Sequence, residues 1–130
     1  MTSDPQRATI LVVDDHQGAR DLLALHLQPT YDVITAATAQ EAIQDLHAHH
    51  IDVVIQDVGL PDMSGLQLLH TSKLLRPQLP VILITGGVAD VSAATEAIQY
   101  GAVAYLLKPF NLTEIQLLIE QLLRTFMGTA

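Results

Sequence analysis

The sequence predicts an α/β fold, an open parallel sheet layered between helices, on three observations. Short apolar runs rich in Val, Ile and Leu recur along the chain as "ATILVV", "YDVITA", "DVVIQ", "PVILIT" and "AYLLK". None of them alternates polar with apolar residues, the pattern expected of strands covered on both faces. Segments with helical spacing and capping signals separate the runs, so strand and helix alternate five times.

Taken in order, "MTSDPQR" reads as a flexible lead-in over residues 1–7, and the first strand covers 8–13. A first helix is expected from Gln17 to Leu27, then a second strand over 31–36. The second helix starts at "TAQE", where Thr38 and Glu41 have capping-box spacing. A third strand over 52–56 runs into Asp57 and turns at once through Gly59, Pro61 and Gly65. The third helix follows from Gly65 through Leu75, and the fourth strand covers 80–85. The fourth helix, roughly Asp90 to Tyr100, is stopped by Gly101 as a C′ glycine. After a fifth strand over 104–108, the last helix opens at "NLTE", where Asn111 and Glu114 again suit a capping box. Its Leu112, Ile115, Ile119, Leu122 and Phe126 form a core stripe, while Leu117, with Leu118 and Met127, widens the apolar surface. One domain over 8–126 is expected, with 127–130 as a tail or the start of a linker, and with right-handed crossovers.

Composition limits the function. With 130 residues the chain can bury a core, which must be aliphatic because only 4% of residues are aromatic. Six basic against fourteen acidic residues give a net charge of −8, which argues against a nucleic-acid surface and fits cations or a basic partner. The absence of cysteine removes disulfides, thiolate metal sites and thiol catalysis. No secretory leader and no run of membrane-spanning length is visible, so a cytoplasmic protein without membrane contact is expected.

The polar residues fall at one place in the pattern. The first strand ends in Asp14 and Asp15, the third in Asp57, the fourth in Thr85 and the fifth in Lys108, one of two lysines. The second strand ends in "AATA", with nothing ionisable. Ligands of open α/β sheets bind beyond the carboxyl ends of the strands, near the switch in strand order. The order 2-1-3-4-5 puts the unproductive second strand at an edge and gathers the other four. Three carboxylates held together repel, and a hard divalent cation such as Mg²⁺ neutralises them through oxygen ligands. Cation, ammonium and hydroxyl together suit a phosphoryl group, with one acid available as nucleophile.

These residues resemble the receiver domain of two-component response regulators, over roughly residues 8 to 125. The matching pieces are "ILVVDD", "QDVGLPDMSG", "VILITG" and "AYLLKPF", four short motifs in order at the family's spacing. The resemblance implies a flavodoxin-like (βα)5 three-layer sandwich. It implies that Asp57 is the phosphoacceptor and that a histidine kinase or histidine phosphotransfer protein is the donor. Asp14, Asp15, Asp57 and the backbone carbonyl of Gly59 would hold Mg²⁺, or Mn²⁺ in its place. Thr85, Gly86 and Lys108 would surround the phosphoryl oxygens, and the bond before Pro109 would be cis. Tyr105 would be the aromatic switch that turns inward when Thr85 shifts. The output would pass through the face of helix four, strand five and helix five, to a downstream target, an attached output domain or a second copy of the chain.

Two departures from the family pattern stand out. The stretch from Thr85 to Gly101 is one residue longer than usual, around "TGGVAD", and Gln56 and Gly59 replace larger or apolar residues. Room for water beside Gly59 leads to an expectation of fast acyl-phosphate hydrolysis. Blander roles exist for each residue: Asp14 or Asp15 as a helix cap, Asp57 as a turn residue, Lys108 as a snorkelling surface lysine, Thr85 as a strand end and Tyr105 as a core aromatic. The coincidence of all of them at one sheet edge favours a site. His47, His49 and His50 close the second helix, where they suit its C-terminal dipole better than a zinc site. The alternatives are an Mg²⁺-dependent phosphatase or phosphotransferase with an aspartyl nucleophile, and a receiver acting constitutively through protein contacts. The first lacks a cap insertion and a general acid two residues from the nucleophile. Intact Asp14, Asp15, Asp57, Thr85 and Lys108 argue against the second. The chain stops just past the fifth helix, so no output domain is expected within it.

Overall fold

The computed structural model describes residues 7–86 and 91–126. Strand and helix alternate as β1 Thr9–Val13, α1 Gln17–Leu27, β2 Asp32–Ala36, α2 Ala39–Ala48, β3 Val53–Asp57, α3 Gly65–Leu75, β4 Val81–Thr85, α4 Val91–Gln99, β5 Ala104–Leu107 and α5 Leu112–Phe126. All pairings are parallel and the strand order is β2-β1-β3-β4-β5, the flavodoxin-like arrangement the sequence predicts.

The continuous apolarity of the strands resolves into two faces, because successive side chains point to opposite sides. Leu11, Val13, Val54, Val81 and Leu83 face one way and pack with Ala39, Ala42 and Leu46 of α2 and Leu68 and Leu69 of α3. Ile10, Val12, Val53, Ile55, Ile82 and Ile84 face the other way, against Leu23 and Leu27 of α1 and Ile115 and Ile119 of α5. A sheet clad on both sides can expose only its edges and ends to a ligand. That places any site at a strand terminus.

The caps show what begins and ends each helix. His16 is the N-cap of α1, its Nδ1 accepting from the Ala19 amide at 3.2 Å, so the capping residue is neither Asp14 nor Asp15. At α2, Thr38 accepts from the Glu41 amide at 3.1 Å, but Glu41 reaches back to the amide of Ala37 rather than that of Thr38. A complete capping box appears instead at α3, between Ser64 and Gln67. Asn111 accepts from the amides of Thr113 and Glu114 at 2.8 and 3.2 Å. Gly101 ends α4 with φ of 106°, its amide bonded to Ile98 and that of Ala102 to Ala97, the paired closure that favours glycine.

Along α5, Ile115 and Ile119 are fully buried and Leu117 is 58% exposed, as the stripe predicts. Leu118, expected on the outer surface, packs partly against the core. The Phe126 side chain and Met127 lie outside the described residues. Ile119→Ala should cost about 2–5 kcal/mol in urea denaturation, whereas Leu117→Ala should stay within about 0.5 kcal/mol of the parent.

Candidate functional site

Asp57 is the last residue of β3, and the backbone ladder continues past it, with the Val58 amide donating to the Ile84 carbonyl at 2.9 Å. Asp14 directly follows β1, 4% exposed, its amide held by the Ala36 carbonyl at 3.1 Å. Lys108 directly follows β5, its amide donating to the Thr85 carbonyl at 2.7 Å. Each side chain therefore leaves from a backbone fixed on at least one side by a sheet bond.

These anchors let one ammonium serve two carboxylates. Lys108 Nζ donates to Asp57 Oδ2 at 2.7 Å and to Asp14 Oδ2 at 2.9 Å. The remaining oxygens are also engaged: Asp57 Oδ1 accepts from the Gly59 amide and Asp14 Oδ1 from the His16 amide, both at 2.9 Å. Arg20 adds a bond from its guanidinium to the Asp14 backbone carbonyl at 2.7 Å. Partial burial alone would lower the Lys108 pKa. Hydrogen bonds to, and the charges of, Asp57 and Asp14 outweigh it and hold the ammonium above its ordinary value of 10.5.

Asp15 is exposed, and one oxygen from each of Asp14, Asp15 and Asp57 lies within 4.8 Å of the others. Three carboxylates less one ammonium leave two negative charges, the deficit a divalent cation cancels. Opposed ligands of Mg²⁺ are separated by about 4.2 Å, so an all-oxygen set of this spread fits a hard ion with little rearrangement. Among the described residues no other trio of acids and histidines is grouped in this way, and of the "HAHH" histidines His50 contacts Asp52 at 2.8 Å.

Of the other expected residues, Gly86 and Pro109 adjoin Lys108, whereas Tyr105 does not reach the carboxylates. Thr85 ends β4, half-buried, and Gly86 is exposed beside the Lys108 stem, where a Cβ would lie 3.5 Å from Lys108 Cδ. The Lys108–Pro109 bond is cis, as expected. Gly59 is exposed at the start of the loop after β3. Tyr105 pairs with Leu83 and packs, half-buried, against the core beneath α2 and α3, away from the carboxylates. Gly87 to Asp90, part of the stretch expected to be one residue longer than usual, lie outside the described residues.

Two residues were not legible as site elements. Gln56, a polar residue where the family pattern has an apolar one, points away from the carboxylates. It is fully buried and donates from Nε2 to the Gly65 carbonyl, while its Oε1 has no partner among the described residues. Gly65 itself is required, since a Cβ there would fall 2.5 Å from Val58 Cα. Asp62, which the sequence does not single out, accepts from the Ala39 and Gln40 amides at 2.9 and 3.0 Å and so caps α2 from across the chain. Those two bonds hold its carboxyl below the ordinary range.

Residues 10–120 match the family model described as the response regulator receiver domain. The chain belongs to that family. Among its relatives, the probable transcriptional regulatory protein TcrX of Mycobacterium tuberculosis is 38% identical over 125 residues, which span 94% of this chain and 52% of TcrX. The regulatory protein AtoC of Escherichia coli is 35% identical over 119 residues, 88% of this chain and 25% of AtoC. The receiver thus spans about half, or a quarter, of the regulators it matches. A CheY-like receiver domain from Methanospirillum hungatei JF-1, known from its crystal structure, superposes with a TM-score of 0.90 at 31% identity, covering 95% of this chain and 98% of that one.

The raised Lys108 pKa fixes the sign of a pH effect. A group whose folded value lies above its unfolded value stabilises fully below the unfolded value and ceases to do so as pH rises through the folded one. Lys108→Met should therefore melt several degrees lower near neutral pH, roughly the effect of 1–3 kcal/mol in a domain of this size. That difference should shrink as melting curves are taken above pH 10.5, the ordinary lysine value.

Proposed function

We propose that this receiver is a phosphorylation-driven switch whose acceptor is Asp57. The observation that supports this best is the Lys108 ammonium held between Asp57 and Asp14, with Asp15 close enough to share a cation. A carboxylate oxygen of Asp57 attacks the phosphorus of a phosphohistidine. The new P–O bond forms as the P–N bond breaks, and the imidazole leaves as the donor's restored side chain. Bound Mg²⁺, or Mn²⁺, supplies positive charge for the phosphoryl oxygens, held by Asp14, Asp15, Asp57 and the Gly59 carbonyl. Lys108 is already charged and needs no proton movement. It exchanges a carboxylate oxygen for a phosphoryl oxygen at small cost in solvent reorganisation. The Thr85 hydroxyl donates to a second phosphoryl oxygen, with the Gly86 backbone beside it, and the cis peptide before Pro109 belongs to the same pocket.

The donor is a histidine kinase or histidine phosphotransfer protein. As Thr85 moves toward the phosphoryl group, Tyr105 turns inward, and the face built from α4, β5 and α5 changes. That face passes the signal to a downstream target, to an attached output domain or to a second copy of the chain. The domain catalyses only its own phosphorylation and dephosphorylation, and it contacts neither nucleic acid nor membrane directly. Among the described residues no helix is long and apolar enough to cross a membrane, and a cytoplasmic location is proposed. The phosphoryl group is short-lived, because Gly59 leaves the approach to Asp57 open: a Cβ at Gly59 would meet nothing nearer than Asp57 Oδ1 at 3.8 Å.

Intact-mass measurement with acetyl phosphate and Mg²⁺ tests this directly. The wild-type chain should gain one phosphoryl group and lose it again on incubation, and Asp57→Asn should gain none. Equal labelling of both proteins, or of neither, would remove Asp57 as the acceptor. A phospho-form persisting for many hours with Mg²⁺ present would remove the short lifetime.

A further inference from the structure

The loop from Val58 to Ser64 carries the Gly59 amide that holds Asp57 Oδ1 and the Gly59 carbonyl proposed as a cation ligand. It is pinned at two levels. Its base is closed by the Gly65 amide bonding the Val58 carbonyl at 2.8 Å, by a bridge between Gly59 and Ser64, and by the buried Gln56 amide on the Gly65 carbonyl. Its tip is tied to a different element, α2, through both carboxylate oxygens of Asp62. The two amides used there open α2 and have no partner within the helix, and the positive end of the helix dipole favours an anion at that point.

We infer that Asp62 is a positioning residue for the site, holding the loop that presents Gly59 by clamping its tip onto the first turn of α2. This rests on the functional reading above. Asp62 touches none of the reacting groups, and its effect passes through the backbone between it and Gly59. Without the clamp the base of the loop stays closed, but the tip no longer restricts it, so part of the ordering of Gly59 must be supplied by the cation itself. The consequence is weaker cation binding with an unchanged chemical step once the cation is saturating. Groups that orient metal ligands from behind typically change affinity by 10- to 100-fold, and for a tie three residues away the lower end, about 10-fold, is expected.

Capping of α2 could account for Asp62 without any role in the site, and Thr38 separates the two. Its hydroxyl caps the same helix turn through the Glu41 amide at 3.1 Å but has no connection to the loop after β3. Mg²⁺ titration by calorimetry, with melting curves and acetyl phosphate labelling, is to be compared for wild type, Asp62→Ala, Asp62→Asn and Thr38→Ala. Asp62→Ala and Thr38→Ala should both melt a few degrees lower. Only Asp62→Ala should show the roughly 10-fold rise in Mg²⁺ dissociation constant. Asp62→Asn, which keeps one acceptor oxygen, should fall between Asp62→Ala and wild type. Labelling of Asp62→Ala should be slow at low Mg²⁺ and reach the wild-type rate at saturation. An unchanged dissociation constant in Asp62→Ala, or an equal rise in Thr38→Ala, overturns the inference while leaving the switch intact. A wild-type chain that binds no Mg²⁺ overturns both.

Discussion

A single ammonium holds the carboxyl edge of this sheet together. Asp14 and Asp57 lie at the ends of neighbouring strands, β1 and β3, and both are largely shielded from water. Two such carboxylates are tolerated only with a compensating charge. Lys108 supplies it from the end of β5, two strands beyond β3, and so the pairing exists only if the strands assemble in their observed order. The same bond that relieves repulsion in the resting fold places a cation where a phosphoryl group would need one. Stability and proposed chemistry draw on one contact, which leaves little freedom to change either residue type.

The rest of the molecule holds that contact in place. Side chains on the two faces of the sheet are committed to separate cores, one beneath α2 and α3 and one beneath α1 and α5. With both faces closed, the backbones carrying Asp14, Asp57 and Lys108 are each fixed by a sheet bond next to the site. Loops carry function when a rigid scaffold presents them, and here the loop after β3 is fastened at base and tip to that scaffold.

Much of this was legible in the sequence because it depends on local pattern. Unbroken apolar strands separated by capped helical segments specify a covered parallel sheet, and the strand ends then specify which residues meet. Asp14, Asp15, Asp57 and Lys108 converge for that reason alone. The residues that escaped notice act through distant partners. Asp62 is an ordinary turn acid until α2 is known to begin beside it. Gln56 interrupts an apolar strand, and only the close passage of Gly65 shows what its amide holds. His16 caps α1 although histidine is a weak capping signal, so the capping residue is neither of the adjacent aspartates. The capping box expected at Thr38 forms one residue out of step, since Glu41 chose the amide of Ala37. Tyr105 could be placed on its strand by sequence, but which core it joins follows from the register of β5 on β4.

The most direct measurement is a crystal structure of the chain with Mg²⁺ and beryllofluoride, a mimic of the acyl phosphate. The adduct should sit on the Asp57 carboxylate, with Lys108 Nζ moved from Asp57 to a fluorine and the cation touching Asp15 and the Gly59 carbonyl. An unmodified Asp57 still bridged to Asp14 by Lys108, with the cation bound elsewhere or absent, would contradict the account at its root.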